Sequence, residues 1–493
     1  MKVLLVYPQY PDSFWSFKNA MRFISKKASV PPLGLITVAA MLPKTWEKKL
    51  VDINIAKLKT SDILWADYVF ISAMSIQRES ANQVIEECVK HSKKMVAGGP
   101  LFTQDYESFP QIDYFVLNEA EISLQPFLKD LNEGRPLQRV YNTCDYADLT
   151  TTPVPDYSLL SRKDYVVMNI QVTRGCPFSC DFCEITSLLG HKVRMKKTSQ
   201  IIEELNALYN LNWRGPVLIV DDNFIGNKNR VKKDLLPAMN KWMHDHQFPF
   251  NFETQSSINL ADDQELLSLM VATGFTSTFI GIETPDVVSL EECNKGQNQN
   301  RNLLQSVKKI QRAGMQVSGG FIVGFDSDTP SIFQRQIDFI QHSGIVSAMV
   351  GILHAPKNTV LYKRMMDENR LMKESSGNNT DASMNFIPKM NAQDLLDGYR
   401  KIIQNIYSIK PYYQRVRQSL LAYQPLYRVK KKVRFSYFKS FFISVYIIGI
   451  KNKGRGEFWK LFIWTLYKKP LLFKEAIQYA VYGYHVRIVY GIK

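Results

Sequence analysis

The chain has 493 residues, of which 45% are hydrophobic and 22% charged, and its net charge is +16. These proportions are typical of globular proteins and exclude a wholly disordered, collagen-like or low-complexity chain, and the length predicts about three domains. The six cysteines are too few and too unevenly spread for a secreted disulfide framework, and three of them fall close together, which favours a metal or cluster site in a reducing cytoplasm.

The first part of the chain, residues 1–145, alternates short apolar runs with helical patterns. The run Val3 to Tyr7 is short for a signal peptide and is better explained as a first strand. Strand and helix in alternation predict an α/β domain with a doubly wound parallel sheet. The predicted strands are 2–7, 67–72 and 94–97, and the predicted helices are 30–42 and 80–92. A Thr- and Pro-rich linker over 146–165 follows.

The alternation resumes over residues 166–390 and predicts a partial parallel barrel of six strand–helix units. In such barrels the chemistry gathers where strands end and loops begin. The predicted strands are 166–173, 217–222, 250–255, 277–283, 316–325 and 347–353. The predicted helices are 198–211, 229–245, 262–273, 300–313 and 330–343.

Directly after the first barrel strand, Cys176, Cys180 and Cys183 form a C-x3-C-x2-C pattern. Three thiolates at this spacing can ligate three corners of a cubane iron–sulfur cluster. The fourth iron then stays open to a small molecule, as catalysis requires. The alternative is a zinc site with His191 as fourth ligand, which the spacing favours less because zinc pairs usually come with a distant second pair.

The cysteine spacing, together with Phe182 immediately before the third cysteine, resembles the radical S-adenosylmethionine (SAM) superfamily. The resemblance implies that the three cysteines hold a [4Fe–4S] cluster and that SAM chelates its open iron. It also implies that one electron cleaves SAM to give a 5′-deoxyadenosyl radical, which abstracts hydrogen from an unactivated C–H bond. We expect the electron to come from a donor such as a flavodoxin or ferredoxin.

The same resemblance implies SAM contacts at the ends of the barrel strands, where Asp221-Asp222-Asn223-Phe224 resembles a segment of the cobalamin-linked branch of the superfamily. An acid at a strand end can equally well be the N-cap of the next helix. The implied SAM-binding residues are Phe182, Asp222, Asn223, Glu253, Gln255, Gly281, Glu283 and Gly324.

A doubly wound domain ahead of such a barrel resembles the cobalamin (B12)-binding domain of cobalamin-dependent radical SAM proteins. The stretch Asp52 to Lys57 departs from the D-x-H-x-x-G pattern because Asn54 stands in the place of the cobalt-ligating histidine. Either cobalamin binds without a protein lower ligand or the domain has lost it. The implied cobalamin-binding residues are Asn54, Ser72, Ser75, Gly98, Gly99, Pro100 and Glu119.

The last part of the chain, residues 391–493, carries nearly all of the excess charge. From Pro411 to Lys493 there are 17 basic and two acidic side chains, 17 − 2 = +15. The longest uncharged stretch, Ser440 to Ile450, has eleven residues, well short of the roughly 20 that span a bilayer. We expect a mostly helical extension that lies in the headgroup region of an anionic membrane. A basic subdomain packed on the barrel and a nucleic-acid-binding extension remain alternatives.

The aromatic and basic residues of this extension resemble the C-terminal part of the lipid-modifying group that includes the hopanoid C-2 methylase. The resemblance implies a cobalamin-dependent radical SAM C-methyltransferase that methylates an unactivated sp3 carbon of an isoprenoid- or hopanoid-like lipid. Ring formation or other C–C chemistry on a lipid or tetrapyrrole, tRNA modification, and a non-enzymatic iron–sulfur or zinc protein are the alternatives. We expect a cytoplasmic protein that is peripheral on the inner face of the membrane.

Overall fold

The computed structural model of the chain describes residues 1–373, 375–378, 380–426 and 435–492. Its first part is a six-stranded parallel sheet in the order β2-β1-β3-β4-β5-β6. The strands are β1 Lys2–Tyr7, β2 Glu47–Asp52, β3 Tyr68–Ser72, β4 Lys94–Gly98, β5 Tyr114–Val116 and β6 Val140–Tyr141. The helices around them are α1 Lys18–Met21, α2 Leu33–Met41, α3 Thr60–Trp65, α4 Arg78–Lys90, α5 Pro100–Asp105 and α6 Ala120–Asn132. The predicted doubly wound α/β class is confirmed.

Strand β1 explains why this sheet forms. Its residues Val3 to Val6 are fully buried, and it pairs in parallel with β2 on one side and with β3 on the other. A parallel strand covered by helices on both faces is apolar along its whole length. The first half of β2 instead alternates exposed and partly buried residues, so the sequence pattern did not reveal it as a strand.

The second part is an open barrel whose six parallel strands follow the order β14-β13-β12-β11-β10-β7. These strands are β7 Met168–Ile170, β10 Pro216–Ile219, β11 Asn251–Gln255, β12 Phe275–Glu283, β13 Gln316–Val323 and β14 Ala348–Ile352, and β8 Thr173–Arg174 pairs with β9 Arg194–Met195 beside them. The helices are α7 Ile185–Leu189, α8 Thr198–Asn210, α9 Lys228–Arg230, α10 Leu236–Asp245, α11 Gln264–Thr273, α12 Val287–Glu292, α13 Leu303–Arg312, α14 Ser331–Ser343 and α15 Val360–Asp367. The predicted partial barrel is confirmed.

The barrel strands have two different faces. In β12, Ile280 and Ile282 are fully buried in the apolar core beneath the helices, whereas Phe279 and Gly281, which alternate with them, are only partly buried. In β11, Glu253 and Gln255 likewise alternate with buried residues. Because successive side chains of a strand point to opposite faces, these partly buried residues lie on the inner side of the barrel.

The third part is helical. It contains α16 Ala392–Tyr407, α17 Ile409–Ala422, α18 Phe435–Ser444, a π-helical segment Val445–Lys451, α19 Arg455–Lys468 and α20 Phe473–Val489. Residues of α16, α17 and α20 share one apolar core with the barrel. The start of the basic segment, residues 427–434, lies outside the described residues. Among the described helices, none combines the length and apolar character needed to cross a bilayer.

Helix α20 also contacts the segment that follows β1. The imidazole Nε2 of His485 lies 3.1 Å from the backbone oxygen of Phe14. The ring of Phe17 lies 5.3 Å from that of Tyr482. The two ends of the chain therefore meet beside the barrel.

Candidate functional site

The three cysteines lie on a compact loop directly after β8. Gly175 begins it with φ +92°, and a Cβ there would lie 2.5 Å from the backbone oxygen of Lys192, so only glycine fits. The backbone NH of Cys176 donates to Gly190 at 3.1 Å, and that of Cys183 donates to Cys180 at 3.1 Å. All three cysteine side chains are partly buried.

Residues 293–297, which follow β12 and α12, hold this loop from the other side. The NH of Asp181 donates to the backbone oxygen of Cys293 at 3.1 Å, and Asn294 Nδ2 donates to that of Ser179 at 3.0 Å. Gln297 Nε2 lies 3.6 Å from Cys180 Sγ. The other amide atom of Gln297, Oε1, is buried without a hydrogen-bond partner in the protein, as expected of a side chain that faces a missing group.

A buried ion pair lies next to the cysteines. Lys295 Nζ is 2.7 Å from Glu283 Oε1 and 6.0 Å from the centroid of the Phe182 ring. Burial raises the pKa of Cys183 to about 12, so the thiolate form needs an iron and nearby positive charge to stabilise it. Three cysteines on one loop with a lysine beside them fit a [4Fe–4S] cluster.

A site for a single metal ion, such as zinc, would require several ligand side chains that converge on one point. His191 is exposed, and in the described part of the chain no three or more His, Cys, Asp or Glu side chains are grouped to hold one metal ion. A cubane cluster takes one thiolate per iron, so its ligands need not converge on one point.

Phe182, predicted to contact SAM, packs in a small apolar cluster. Its ring centroid lies 6.3 Å from that of Phe325, and the cluster also contains Cys293 and Leu361. The backbone NH of Leu361 donates to Asp181 at 2.9 Å. This packing covers the cysteine loop on the side of α15.

The two adjacent aspartates after β10 differ in their surroundings. Asp221 is fully buried and accepts hydrogen bonds from the NH groups of Val172 and Thr173 at 2.8 Å and from Thr173 Oγ1 at 2.7 Å. Asp222 is partly buried, and its pKa is raised to about 7 by burial and by the charge of Asp221. Asp221 therefore fixes the strand that leads to the cysteines, and Asp222 is the better placed of the two to meet a ligand.

Asn223 and Gly324 are tied to neighbouring backbone. Asn223 is buried, and its Oδ1 accepts from the NH of Ser257 at 3.2 Å. Gly324 has φ +102°, and its NH donates to Asp328 Oδ2 at 2.8 Å. Both residues shape the rim of the barrel, and their contact with SAM stays a prediction.

Glu253, Gln255, Gly281 and Glu283 share the inner face of the barrel, as the strand ends predicted. A Cβ on Gly281 would lie 2.3 Å from Glu283 Oε1 and 2.9 Å from Lys295 Nζ, so a side chain at this position would displace the ion pair. Burial raises the pKa of Glu253. Gln255 is exposed at the strand end.

The carboxyl edge of the N-terminal sheet faces the cysteine loop. Ser75 Oγ lies 3.2 Å from Gln104 Oε1, and Gln104 Nε2 donates to Glu184 Oε2 at 2.8 Å. In doubly wound folds ligands bind at this edge. Ser72, Gly98, Gly99 and Pro100, predicted to contact cobalamin, end β3 and β4 or begin α5 there.

Asn54 and Glu119, also predicted to contact cobalamin, are engaged within the protein. Asn54 Nδ2 donates to Asp52 at 2.7 Å, and its Oδ1 accepts from the NH of Tyr10 at 2.9 Å. Glu119 is buried and pairs with Arg194 at 2.6 Å and with Arg174 at 3.3 Å. The local sequence around Asn54 and Glu119 does not reveal these contacts with distant residues. Their contact with cobalamin stays a prediction.

The segment after β1 contributes an aromatic side chain to the inner face of the barrel. Trp15 is exposed, stacks edge-on against Phe279 at 5.3 Å and directs its Nε1 to Met349 Sδ at 3.1 Å. Phe279 is a partly buried residue of the inner face. Only the clustering of aromatic residues over 14–17 in the sequence hints at this role.

Known proteins resemble this chain in sequence and in fold. The sequence profile of the Radical SAM superfamily matches residues 170–340, and that of a domain of unknown function, DUF4070, matches residues 359–491. An uncharacterized methyltransferase of Synechocystis is 39% identical to 98% of this chain over 91% of its own length. The hopanoid C-2 methylase of Rhodopseudomonas palustris is 34% identical to 78% of this chain over 73% of its own length.

This chain belongs to the radical SAM superfamily. Within it, the chain belongs to the family of enzymes that includes these two methyltransferases. The solved structure of the cobalamin-dependent SAM radical enzyme OxsB, with aqua-cobalamin and SAM bound, has the same fold. It superimposes with a TM-score of 0.65 at 14% identity, covering 99% of this chain and 79% of OxsB.

Proposed function

We propose that this chain is a cobalamin-dependent radical SAM C-methyltransferase. The observation that carries the proposal is the position of the cysteine loop, which lies against the carboxyl edge of a doubly wound sheet through the contact of Gln104 with Glu184. Two cofactors bound at these two places would meet. When bound, the cluster and SAM supply hydrogen-atom abstraction, and cobalamin supplies the methyl group.

Each group of residues has its own task in this proposal. Cys176, Cys180 and Cys183 bind three irons, while Lys295 and Gln297 stabilise the charge of the site. The packing around Phe182 excludes water from the cysteine loop. The residues proposed to bind SAM are Phe182, Asp222, Asn223, Glu253, Gln255, Gly281, Glu283 and Gly324. Those proposed to bind cobalamin are Asn54, Ser72, Ser75, Gly98, Gly99, Pro100 and Glu119.

The proposed substrate is a lipid of the isoprenoid or hopanoid type, methylated at an unactivated sp3 carbon. Two observations support it: the relative that is 34% identical is a hopanoid methylase, and Trp15, Phe279 and Met349 give the inner face of the barrel an apolar wall. We propose that the enzyme meets this substrate at the inner face of the membrane. A flavodoxin or ferredoxin would supply the electron.

The experiment is an oxygen-free reconstitution of the full chain with iron, sulfide and cobalamin, followed by reaction with SAM, a one-electron reductant and a detergent-dispersed hopanoid. We expect lipid products heavier by one methylene, with methyl label from SAM, in mass spectrometry. Changing Cys176, Cys180 or Cys183 to Ala should remove the cluster absorbance and reduce SAM cleavage by at least 10³-fold, on the order of 4 kcal/mol in barrier height.

The matched control is Cys144→Ala, because Cys144 is an exposed cysteine outside the loop and its loss should leave iron content and SAM cleavage unchanged. A protein that keeps its iron and sulfide after all three loop cysteines are changed would contradict the proposal. SAM cleavage without methyl transfer to the hopanoid, in a protein that retains cobalamin, would overturn the proposed substrate.

A further inference from the structure

Helix α18 and the π-helical segment after it expose a row of large apolar side chains. Phe438, Phe442, Tyr446 and Ile450 are all exposed, Phe442 by 66%. They are spaced four residues apart, so in a helical segment they lie along one side. The neighbouring Ile448 is fully buried, which shows that the segment presents one side to the protein and the other to solvent.

Helix α19 and the turn after it expose a second row, consisting of Ile463, Leu466, Tyr467 and Leu471. Tyr467 is exposed by 80% and Leu471 by 73%. The helices that carry the two rows are in contact, because the ring of Phe441 lies 6.0 Å from that of Phe462. We call the two rows together the docking face.

Lysines accompany the aromatic residues of the docking face. Lys451 Nζ lies 4.5 Å from the ring centroid of Tyr446, and Lys468 Nζ lies 5.1 Å from that of Tyr467. From residue 435 to 474 the sequence has eight basic and one acidic side chain, 8 − 1 = +7. The one acid, Glu457, is paired with Lys460 at 2.7 Å and Arg417 at 3.3 Å, and the net charge of +7 already includes it.

We propose that the docking face binds the surface of an anionic lipid bilayer. Exposed Phe, Tyr, Ile and Leu side chains enter the boundary between headgroups and acyl chains, and lysines beside them meet lipid phosphates. A second copy of this chain would bring an equally basic face against the first, which charge repulsion opposes. The occupant that satisfies both the apolar rows and the positive charge is therefore an anionic membrane.

The position of the docking face in the fold connects it to the barrel. Leu471 lies just before α20, which contacts Phe14 and Phe17 beside the barrel. Burial raises the pKa of Glu253, and the charge of Lys474, near the start of α20, offsets only part of that rise. A lipid that leaves the bilayer at the docking face is thus close to the inner face of the barrel. This last step rests on the proposed function, whereas membrane binding itself does not.

The test uses the reconstituted full chain and sedimentation with vesicles of phosphatidylglycerol or of phosphatidylcholine alone. We expect binding to phosphatidylglycerol that weakens with added salt, and little binding to phosphatidylcholine. The double variant Phe442→Ser, Tyr467→Ser should reduce the bound-to-free ratio at least tenfold. The matched control is Leu64→Ser, an apolar residue that is 56% exposed on the N-terminal domain and whose loss should change nothing.

A second variant, in which lysines are changed, separates the role of positive charge from that of the apolar side chains. A variant with Lys439, Lys451 and Lys468 changed to Gln should show a weaker salt dependence and bind phosphatidylglycerol at least tenfold less. The same change at Lys44, Lys57 and Lys309, three exposed lysines elsewhere, should leave it within twofold. All variants should keep the iron content and melting temperature of the parent protein, because the changed side chains face solvent.

The docking face would be overturned if the Phe442→Ser, Tyr467→Ser variant bound vesicles as well as the parent. It would also be overturned if the parent bound no vesicles and instead formed a dimer that the two substitutions disrupt. A parent protein that bound single-stranded RNA but not vesicles would overturn it as well. Methyl transfer to detergent-dispersed lipid is measured in parallel. If the protein binds vesicles but methylates no lipid, the proposed substrate is wrong and the docking face stands. If the protein methylates lipid but does not bind vesicles, the proposed role of the docking face is wrong.

Discussion

Asp221 joins the second strand of the barrel to the segment that carries the cysteines. Its carboxylate accepts three hydrogen bonds from Val172 and Thr173, which lie only a few residues before Cys176. Burial nevertheless raises its pKa to about 6 from an ordinary value of 3.8. The native state therefore holds a proton on this group over a pH range in which the unfolded chain does not.

This difference predicts a pH dependence that Asp221→Asn removes. Because the native state binds more protons between about pH 4 and pH 6, the contribution of Asp221 to the free energy of unfolding falls as the pH rises through that range, by on the order of 3 kcal/mol. The contribution is constant above it. The measurement is urea unfolding of the cluster-free protein at pH 4.5 and pH 7, for the parent and the variant.

The difference between the two proteins isolates Asp221 from the other groups that titrate in this range. We expect the parent to lose more stability than Asp221→Asn on going from pH 4.5 to pH 7. Parallel pH profiles for the two proteins would show that the carboxylate titrates normally and that its environment is wrongly described.

At the scale of single residues, the sequence predicts those functional side chains that belong to a short local motif. The spacing of Cys176, Cys180 and Cys183 predicted a cluster loop, and the structure shows one compact loop. The division of labour between Asp221 and Asp222 could not be predicted, because it depends on which carboxylate reaches the strand ahead of the cysteines. Lys295 and Gln297 were missed because they approach the cysteine loop from a distant part of the chain.

The turn between β4 and α5 decides how the N-terminal sheet ends at the proposed cobalamin site. Gly99 has φ +89°, and a Cβ there would lie 2.7 Å from Ser72 Oγ. A Cβ on Gly98 would lie 2.6 Å from the backbone oxygen of Val116. Both glycines let three neighbouring strand ends approach closely, and any side chain forces them apart.

We therefore predict that Gly99→Ala weakens cobalamin retention at least tenfold after reconstitution, measured by corrinoid absorbance after gel filtration. At φ +89° and ψ 177°, a backbone conformation that is essentially restricted to glycine, a Cβ alone costs about 1–3 kcal/mol. Gly34→Ala is the matched control, because Gly34 lies in α2 with no atom within 4 Å of an added Cβ. It should leave cobalamin retention unchanged and raise the unfolding free energy by about 0.5–1 kcal/mol. Equal retention in both variants would contradict the assignment of this edge.

At the scale of elements, the hydrophobic pattern of the sequence predicted those strands whose residues are buried along most of their length. All six predicted barrel strands overlap observed strands, because each has a helix-covered face. Strand β2 was missed because Glu47 and Lys49, two charged residues in its first half, are exposed at the edge of the sheet. The π-helical segment Val445–Lys451 has an apolar composition that an α-helix would share, so its extra residue per turn was invisible in the sequence.

At the scale of the molecule, four charged side chains, one of them buried and three partly buried, join the N-terminal sheet domain to the barrel. Arg174 pairs with Glu121 at 2.8 Å and with Glu119 at 3.3 Å, and Arg194 pairs with Glu119 at 2.6 Å. The paired residues are at least 53 positions apart in the sequence, so no local motif could predict these ion pairs. Glu119 has two charged partners within the protein, and its contact with cobalamin stays a prediction.

We predict that Arg174→Gln destabilises the protein by about 3–5 kcal/mol at neutral pH, because it leaves the carboxylate of Glu121 buried without its partner. In the parent protein burial raises the pKa of Glu121, but Arg174 outweighs it and the pKa is lowered overall. The parent therefore gains stability from Glu121 above the ordinary pKa of a glutamate and loses it as the pH falls. Unfolding of the cluster-free protein by urea measures the effect.

The deficit of Arg174→Gln should shrink as the pH falls towards 4, since a protonated Glu121 is buried at lower cost than an ionised one. Arg335→Gln is the matched control: Arg335 pairs with Asp286 at the surface with its side chain 47% exposed, and such pairs contribute about 0–1 kcal/mol. A deficit that is the same at every pH, or no larger than that of the control, would show that the two domains do not depend on this ion-pair network for their docking.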